Sequence, residues 1–222
     1  MADYCTVVEL KAAMNKVTNP DDAVLTSTIT AVSRAIDSAC NRPDGFIAEL
    51  DGYESTRYYP GTGKAYQWID ECVSVDSVWV KDSATDEENE YVAWVVGVVG
   101  ATLGADVFPA TGDPKRPDFV TTPYTLLVVG PNGDYSMFTK SIMTPTVKVT
   151  ARWGYAASVP AQIKEATIMQ AARWYKLVQG AMARALASAE VGGPMIYPGQ
   201  LDPDVKFILI SGRFVKPTVG RR

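Results

Sequence analysis

Thr146-Val147-Lys148-Val149-Thr150-Ala151-Arg152-Trp153 is the stretch on which the reading of the chain turns. Val147, Val149, Ala151 and Trp153 alternate with Lys148, Thr150 and Arg152. A period of two sends one row of side chains into a core and the other toward water, so the stretch reads as a strand. Working outward, residues Phe46 to Tyr155 keep this texture. Val, Thr, Tyr and Trp dominate, and Pro60-Gly61, Asp113-Pro114 and Pro131-Asn132-Gly133 punctuate them as turns. Further strands are expected at Thr56–Tyr59, Val73–Val80, Tyr91–Val96, Tyr124–Val129 and Tyr135–Met143. The acidic run from Asp82 to Glu90 reads as a solvated loop.

Both flanks of this region read as helix. Thr6 and Glu9 fit a capping box, in which each side chain satisfies a free backbone N–H of the other. Leu10, Met14 and Val17 follow at helical spacing. A second start is expected at Asn19-Pro20-Asp21-Asp22, where Asn caps, Pro fits the first turn and the acids oppose the dipole. Leu25, Ile29, Val32, Ile36 and Cys40 then form one apolar stripe that stops at Arg42-Pro43. Beyond Pro160, a run rich in Ala, Gln, Lys, Met and Leu predicts a long helix from Ala161 to about Ala189. A Gly-Pro-rich link, Gly192 to Gly199, precedes a short last helix opened by Asp202-Pro203-Asp204 and carrying Val205, Ile208 and Leu209. The expected fold class is therefore α+β. A helical body from residues 1–45 and 156–222, ending in a C-terminal docking tail, carries a large β-rich insertion over residues 46–155.

Composition narrows the function. The chain of 222 residues holds 21 basic and 25 acidic side chains, for a net charge of -4. General nucleic-acid binding needs a basic face, so it is disfavoured. There is no histidine, which removes the commonest general base and metal ligand together. Cys5, Cys40 and Cys72 are scattered, so they suit buried thiols better than a zinc or redox site. Gly61-Thr62-Gly63-Lys64 lacks the rest of a phosphate-binding loop and reads as a turn. Gly97, Gly100 and Gly104 lack dinucleotide-binding spacing. The apolar window Tyr91 to Ala105 is too short for a membrane helix, and the chain is expected to be soluble and made in the cytoplasm. No catalytic residue, cofactor or metal is expected.

The tail is the one candidate interaction site. From Lys206 onward it has five basic residues and no acid. Phe207 and Ile210 lie, at helical spacing, away from the face formed by Val205, Ile208 and Leu209. An apolar face that a short helix cannot bury against its own domain marks a contact with something else. The expected docking residues are Phe207, Ile210, Arg213, Phe214, Lys216, Arg221 and Arg222.

Three stretches taken in order resemble a known family. They are Cys5 to Lys11 with Asp21 to Leu25 and Ser33 to Arg42; Val147 to Tyr155 with Val159 to Ala166 and Ala171 to Lys176; and Asp202-Pro203-Asp204-Val205. This set is similar to the head–tail connector (adaptor, or head completion) proteins of long-tailed bacteriophages. It covers both helical ends and the strand between them, and leaves residues 50 to 145 unmatched. The resemblance implies a non-enzymatic virion subunit at the head–tail junction. It implies a homo-oligomeric ring, usually twelve-fold, between the portal protein and a tail-side completion or terminator protein. DNA would pass through the lumen without sequence-specific binding. The part matching the portal-reaching segment is about Ile196 to Arg222. An alternative is another virion component, a tail completion or accessory protein whose β insertion binds a neighbour or a host glycan. A small hydrolase or binding enzyme is a third possibility, distinguished by a pocket of convergent polar groups.

Overall fold

The computed structural model describes residues 2–15, 22–85, 90–98, 102, 104–187 and 201–216, with the backbone alone for 181–187. Two compact units are present, one of residues 1–45 with 159–222 and one of residues 46–158. The cap at Asn19 to Asp21, Val17, Gly100, the link from Gly192 to Gly199, and Arg221 and Arg222 lie outside the described residues.

Among its described residues the first unit contains four helices: α1 (Val7–Ala13), α2 (Asp22–Ala39), α3 (Ala161–Ala187) and α4 (Pro203–Ser211). The capping box forms at α1. Glu9 N–H donates to Thr6 Oγ1 at 3.2 Å, and Thr6 N–H donates to Glu9 Oε2 at 2.8 Å. On α2 the expected stripe of Leu25, Ile29, Val32 and Ile36 is buried, with Cys40 just beyond the helix. The helix ends where Asn41 adopts a left-handed conformation (φ 55°), ahead of Pro43.

The second unit is a seven-stranded antiparallel sheet. Its strands are β1 (Ser55–Tyr59), β2 (Tyr66–Lys81), β3 (Tyr91–Trp94), β4 (Val107–Asp113), β5 (Arg116–Asp118), β6 (Tyr124–Val129) and β7 (Val147–Trp153). Their order is β1-β7-β2-β6-β4-β5, with β3 also on β2. The 16-residue β2 is the spine. Its first half pairs with β6, its second half with β7 and its last residues with β3, and bulges between Trp68 and Ser77 absorb the changes of partner. On β7, Val147, Val149, Ala151 and Trp153 face the core with Val78, Val80, Trp94 and Leu127. The unit begins and ends side by side. Ala48 N–H donates to Ala156 O at 2.8 Å, Ala156 N–H donates to Phe46 O at 3.1 Å, and Ile47 bridges Ala156 in parallel.

The expected architecture is corrected here. The molecule is mostly this large antiparallel sheet, accompanied by four helices, and is not a helical body with an insertion. The reason is that the β-patterned residues bury a continuous core of their own, including Phe138 and Trp153, and do not decorate a helical one. Two strands were also not expected, β4 and β5. Pro109 lies on β4 outside the residues that pair with β5, so its missing N–H costs no β5 ladder bond. The expected strand at Tyr135–Met143 is instead a loop. Its aromatics are anchors: Tyr135 and Phe138 stack on Trp94 at 4.5 and 4.9 Å between ring centroids.

Candidate functional site

The candidate site is α4 and the segment after it. Asp202 precedes the helix in extended conformation, and Pro203 occupies its start, as proline's fixed φ favours. Three contacts hold this end to α3. Asp202 N–H donates to Gln170 Oε1 at 2.9 Å, Asp202 Oδ1 lies 2.6 Å from Arg173 Nη1, and Asp204 Oδ2 lies 3.9 Å from Arg173 Nη2. Leu201, Val205 and Leu209 bury the inner face.

The far end of α4 is fixed as firmly. Gly212 caps the helix, and Arg213 takes a left-handed φ of 56°. That turn folds the Phe214 ring back over Gly212, so closely that a Cβ there would lie 2.3 Å from Phe214 Cε2. Phe214 N–H donates to Leu209 O at 3.0 Å, and Phe214 O accepts from Arg42 Nε at 2.9 Å. Lys216 N–H donates to Cys40 O at 3.0 Å, on a carbonyl that the end of α2 leaves unused.

What remains outside includes an apolar stripe, flanked by the exposed Asp204, Lys206 and Ser211. Phe207 is 72% exposed and Ile210 is 68% exposed. Seven positions separate Pro203 from Ile210, and Phe207 lies between them at helical spacing, so all three share the outer side. Of the residues expected to dock, Phe207, Ile210 and Arg213 stand at the surface. Phe214 does not: it is turned inward and 5% exposed, because Arg42 and Gly212 draw it back onto its own unit. The Lys216 backbone is likewise tied to Cys40. The sequence reading missed Arg42 and Gln170, both buried polar residues. A buried arginine leaves no pattern in sequence; its partner here is 172 positions away.

The charged groups of this unit fasten its elements together. Lys164 Nζ lies 2.8 Å from Glu9 Oε1. With the Thr6 contacts, it lowers the Glu9 carboxyl to about 2. Tyr4 Oη donates to Asp37 Oδ1, and Arg34 Nη1 lies 3.1 Å from Asp37 Oδ2. Burial nonetheless raises Asp37, outweighing both partners. This cluster straps residues 2–4 to α2, with Arg34 Nη2 donating to Ala2 O at 2.7 Å. Burial also pushes Cys5 and Cys40 up to about 11, and Cys72 in the sheet unit up to about 12, so all three thiols stay protonated at neutral pH. Among the described residues there is no cluster of three or more metal-ligating side chains, and no helix is long and apolar enough to cross a membrane.

No family model and no curated protein matches the chain. Among solved structures, a chain of one described as "Virion of native gene transfer agent (GTA) particle" is similar over 98% of this chain and 93% of its own. The identity is 15% and the TM-score 0.48, too distant a likeness to bear on fold or role.

Proposed function

We propose that this chain is a structural subunit of a phage-type virion, acting at the head–tail junction as a connector (adaptor) that forms a ring beneath the portal. The observation that carries the reading is that α4 is apolar on both sides. Val205 and Leu209 already fill the inner side, so Phe207 and Ile210 are left for a partner. An exposed apolar stripe on a helix whose other side is already packed marks an interaction surface. Both of its ends are clamped, so the outer face is presented rigidly, as a docking surface requires. The ordered set of helical and strand motifs that resembles connector proteins supplies the identity of the partner, a portal ring, and of a tail-side protein on the other side. Lys206 and Arg213 flank the apolar face and suit an acidic partner surface. The ring extends the DNA channel and does no chemistry.

The test is assembly on purified portal rings. The subunit alone should run in light scattering as a monomer or weak oligomer. With portal it should co-sediment and appear by imaging as an added ring, usually of twelve. A tight two-fold dimer that ignores portal would overturn the reading.

A further inference from the structure

The face of the sheet turned away from its core carries a row of aromatic, hydroxyl and cationic side chains. Val78 and Val80 of β2 and Val147 and Val149 of β7 turn inward, so Ser77, Trp79, Lys148 and Thr150 turn outward. The register makes Tyr58 of β1, Lys148 of β7 and Trp79 of β2 direct neighbours across three strands. Thr56, Thr150 and Ser77 form the next row. Tyr58 is 55% exposed, and its ring leans on Tyr91 at 6.4 Å between centroids. Lys148 Nζ lies 5.7 Å from the centre of the Trp79 ring, and among the described residues no carboxylate pairs with it. The next cation on β7, Arg152, is already engaged by Glu49 O and Asp51. Thr56 and Thr150 share one hydrogen bond of 2.9 Å between their hydroxyls. Cross-strand packing accounts for two aromatic rings on one face. It does not account for an ammonium set between them without a counter-ion.

We propose that this face binds a saccharide carrying a carboxylate. The inference concerns the sheet unit alone and does not depend on the ring reading. Each part of the row matches a part of such a ligand. A pyranose presents a patch of C–H groups that packs on an aromatic ring, and Tyr58 and Trp79 offer rings with a polar tip. Its hydroxyls exchange hydrogen bonds with Thr56, Thr150 and Ser77. Lys148 supplies the countercharge for the carboxylate through a charge-assisted bond. The number of cations decides between ligands. A nucleic-acid strand is charged at every nucleotide and is tracked by a basic groove, whereas Lys148 is the one cation in this row. A phosphate is met best by an arginine fork, and the Arg152 guanidinium is spent on Glu49 and Asp51. A single carboxylate is matched by a single ammonium. The paired strands hold the row in place, so little ordering is lost on binding.

The test applies the full-length protein to an immobilised panel of sialylated, hexuronate-bearing, phosphorylated and neutral oligosaccharides, with single-stranded DNA as a further probe. Carboxylated members should be retained, and methyl esterification of their carboxylates should weaken binding at least about tenfold. Lys148→Gln and Tyr58→Ala change outward-facing side chains, so both should keep the wild-type melting curve. Each should weaken the carboxylated members at least about tenfold. Lys148→Gln should also lose the preference for the free carboxylate over its methyl ester, which a general disturbance of the face would not remove. The inference is overturned if no carboxylated member is retained. It is overturned equally if phosphorylated sugars or DNA are retained in their place, or if Lys148→Gln still prefers the free carboxylate as wild type does. Assembly on portal is measured apart from this panel, so the ring reading and the saccharide site stand or fall separately.

Discussion

The two faces of α4 should separate stability from assembly. Leu209 is 2% exposed, so Leu209→Ala removes a buried side chain and should cost about 2–5 kcal/mol. For a chain of this size, that lowers Tm by roughly 4–20 °C. The paired substitution Phe207→Ser with Ile210→Ser changes only exposed residues and should move stability by about 0.5 kcal/mol or less. In the assembled ring the order reverses. If each exposed side chain anchors the contact with about 2 kcal/mol, losing both weakens portal association about a thousandfold. Thermal melts and portal co-sedimentation read the two quantities separately. The reasoning is refuted if the Phe207/Ile210 pair melts as low as Leu209→Ala, since the outer face would then be packed within its own chain. It is refuted equally if the pair melts normally and assembles as tightly as wild type.

Arg42→Ala removes a charged donor from the Phe214 carbonyl and should cost about 1.5–3 kcal/mol, read by urea melts, with earlier proteolysis of residues 213–216. Gly154→Ala places a Cβ 2.2 Å from the Ala48 backbone at a φ of +140°, where neither atom can step aside. It should destabilise by more than about 4 kcal/mol and fail to express in soluble form. Because the folded-state Glu9 carboxyl sits near 2 and the ordinary value is 4.5, its contribution is present above pH 4.5 and is lost as pH falls from there toward 2. Glu9→Gln should flatten that part of a Tm-against-pH curve, and an unchanged curve would count against the Lys164 contact. A chelator should leave both Tm and assembly unchanged; a large fall in Tm would reveal a cation held by the acids of residues 82 to 90.

Local signals read well where one short-range rule governs. The Thr6–Glu9 box, the Leu25-to-Ile36 stripe and the Val147-to-Trp153 alternation are set within a few residues of each other, and the structure carries all three. Reading failed where a distant partner decides. β4 and β5 carry no alternation of their own, and each is a strand only through the neighbour it pairs with. Tyr135 and Phe138 look like strand residues until Trp94, some forty positions earlier, turns them into loop anchors. The balance between sheet and helix is hidden for the same reason: a core shared by β2, β6 and β7 is not visible in any one of them. In the candidate site, helical spacing was enough to pick out Phe207 and Ile210. It could not show that Arg42 claims Phe214.

The touching ends of the sheet unit make it a cassette. Residues 46–158 enter and leave the sheet unit through two feet that stand together, zipped by Phe46, Ala48 and Ala156. The ends of the unit are therefore separated by a short gap whatever the size of the sheet between them. Insertion and excision succeed at sites of this kind. The sheet unit can thus be enlarged or exchanged at one seam, with its own core of β2, β6 and β7 travelling as a single heritable piece.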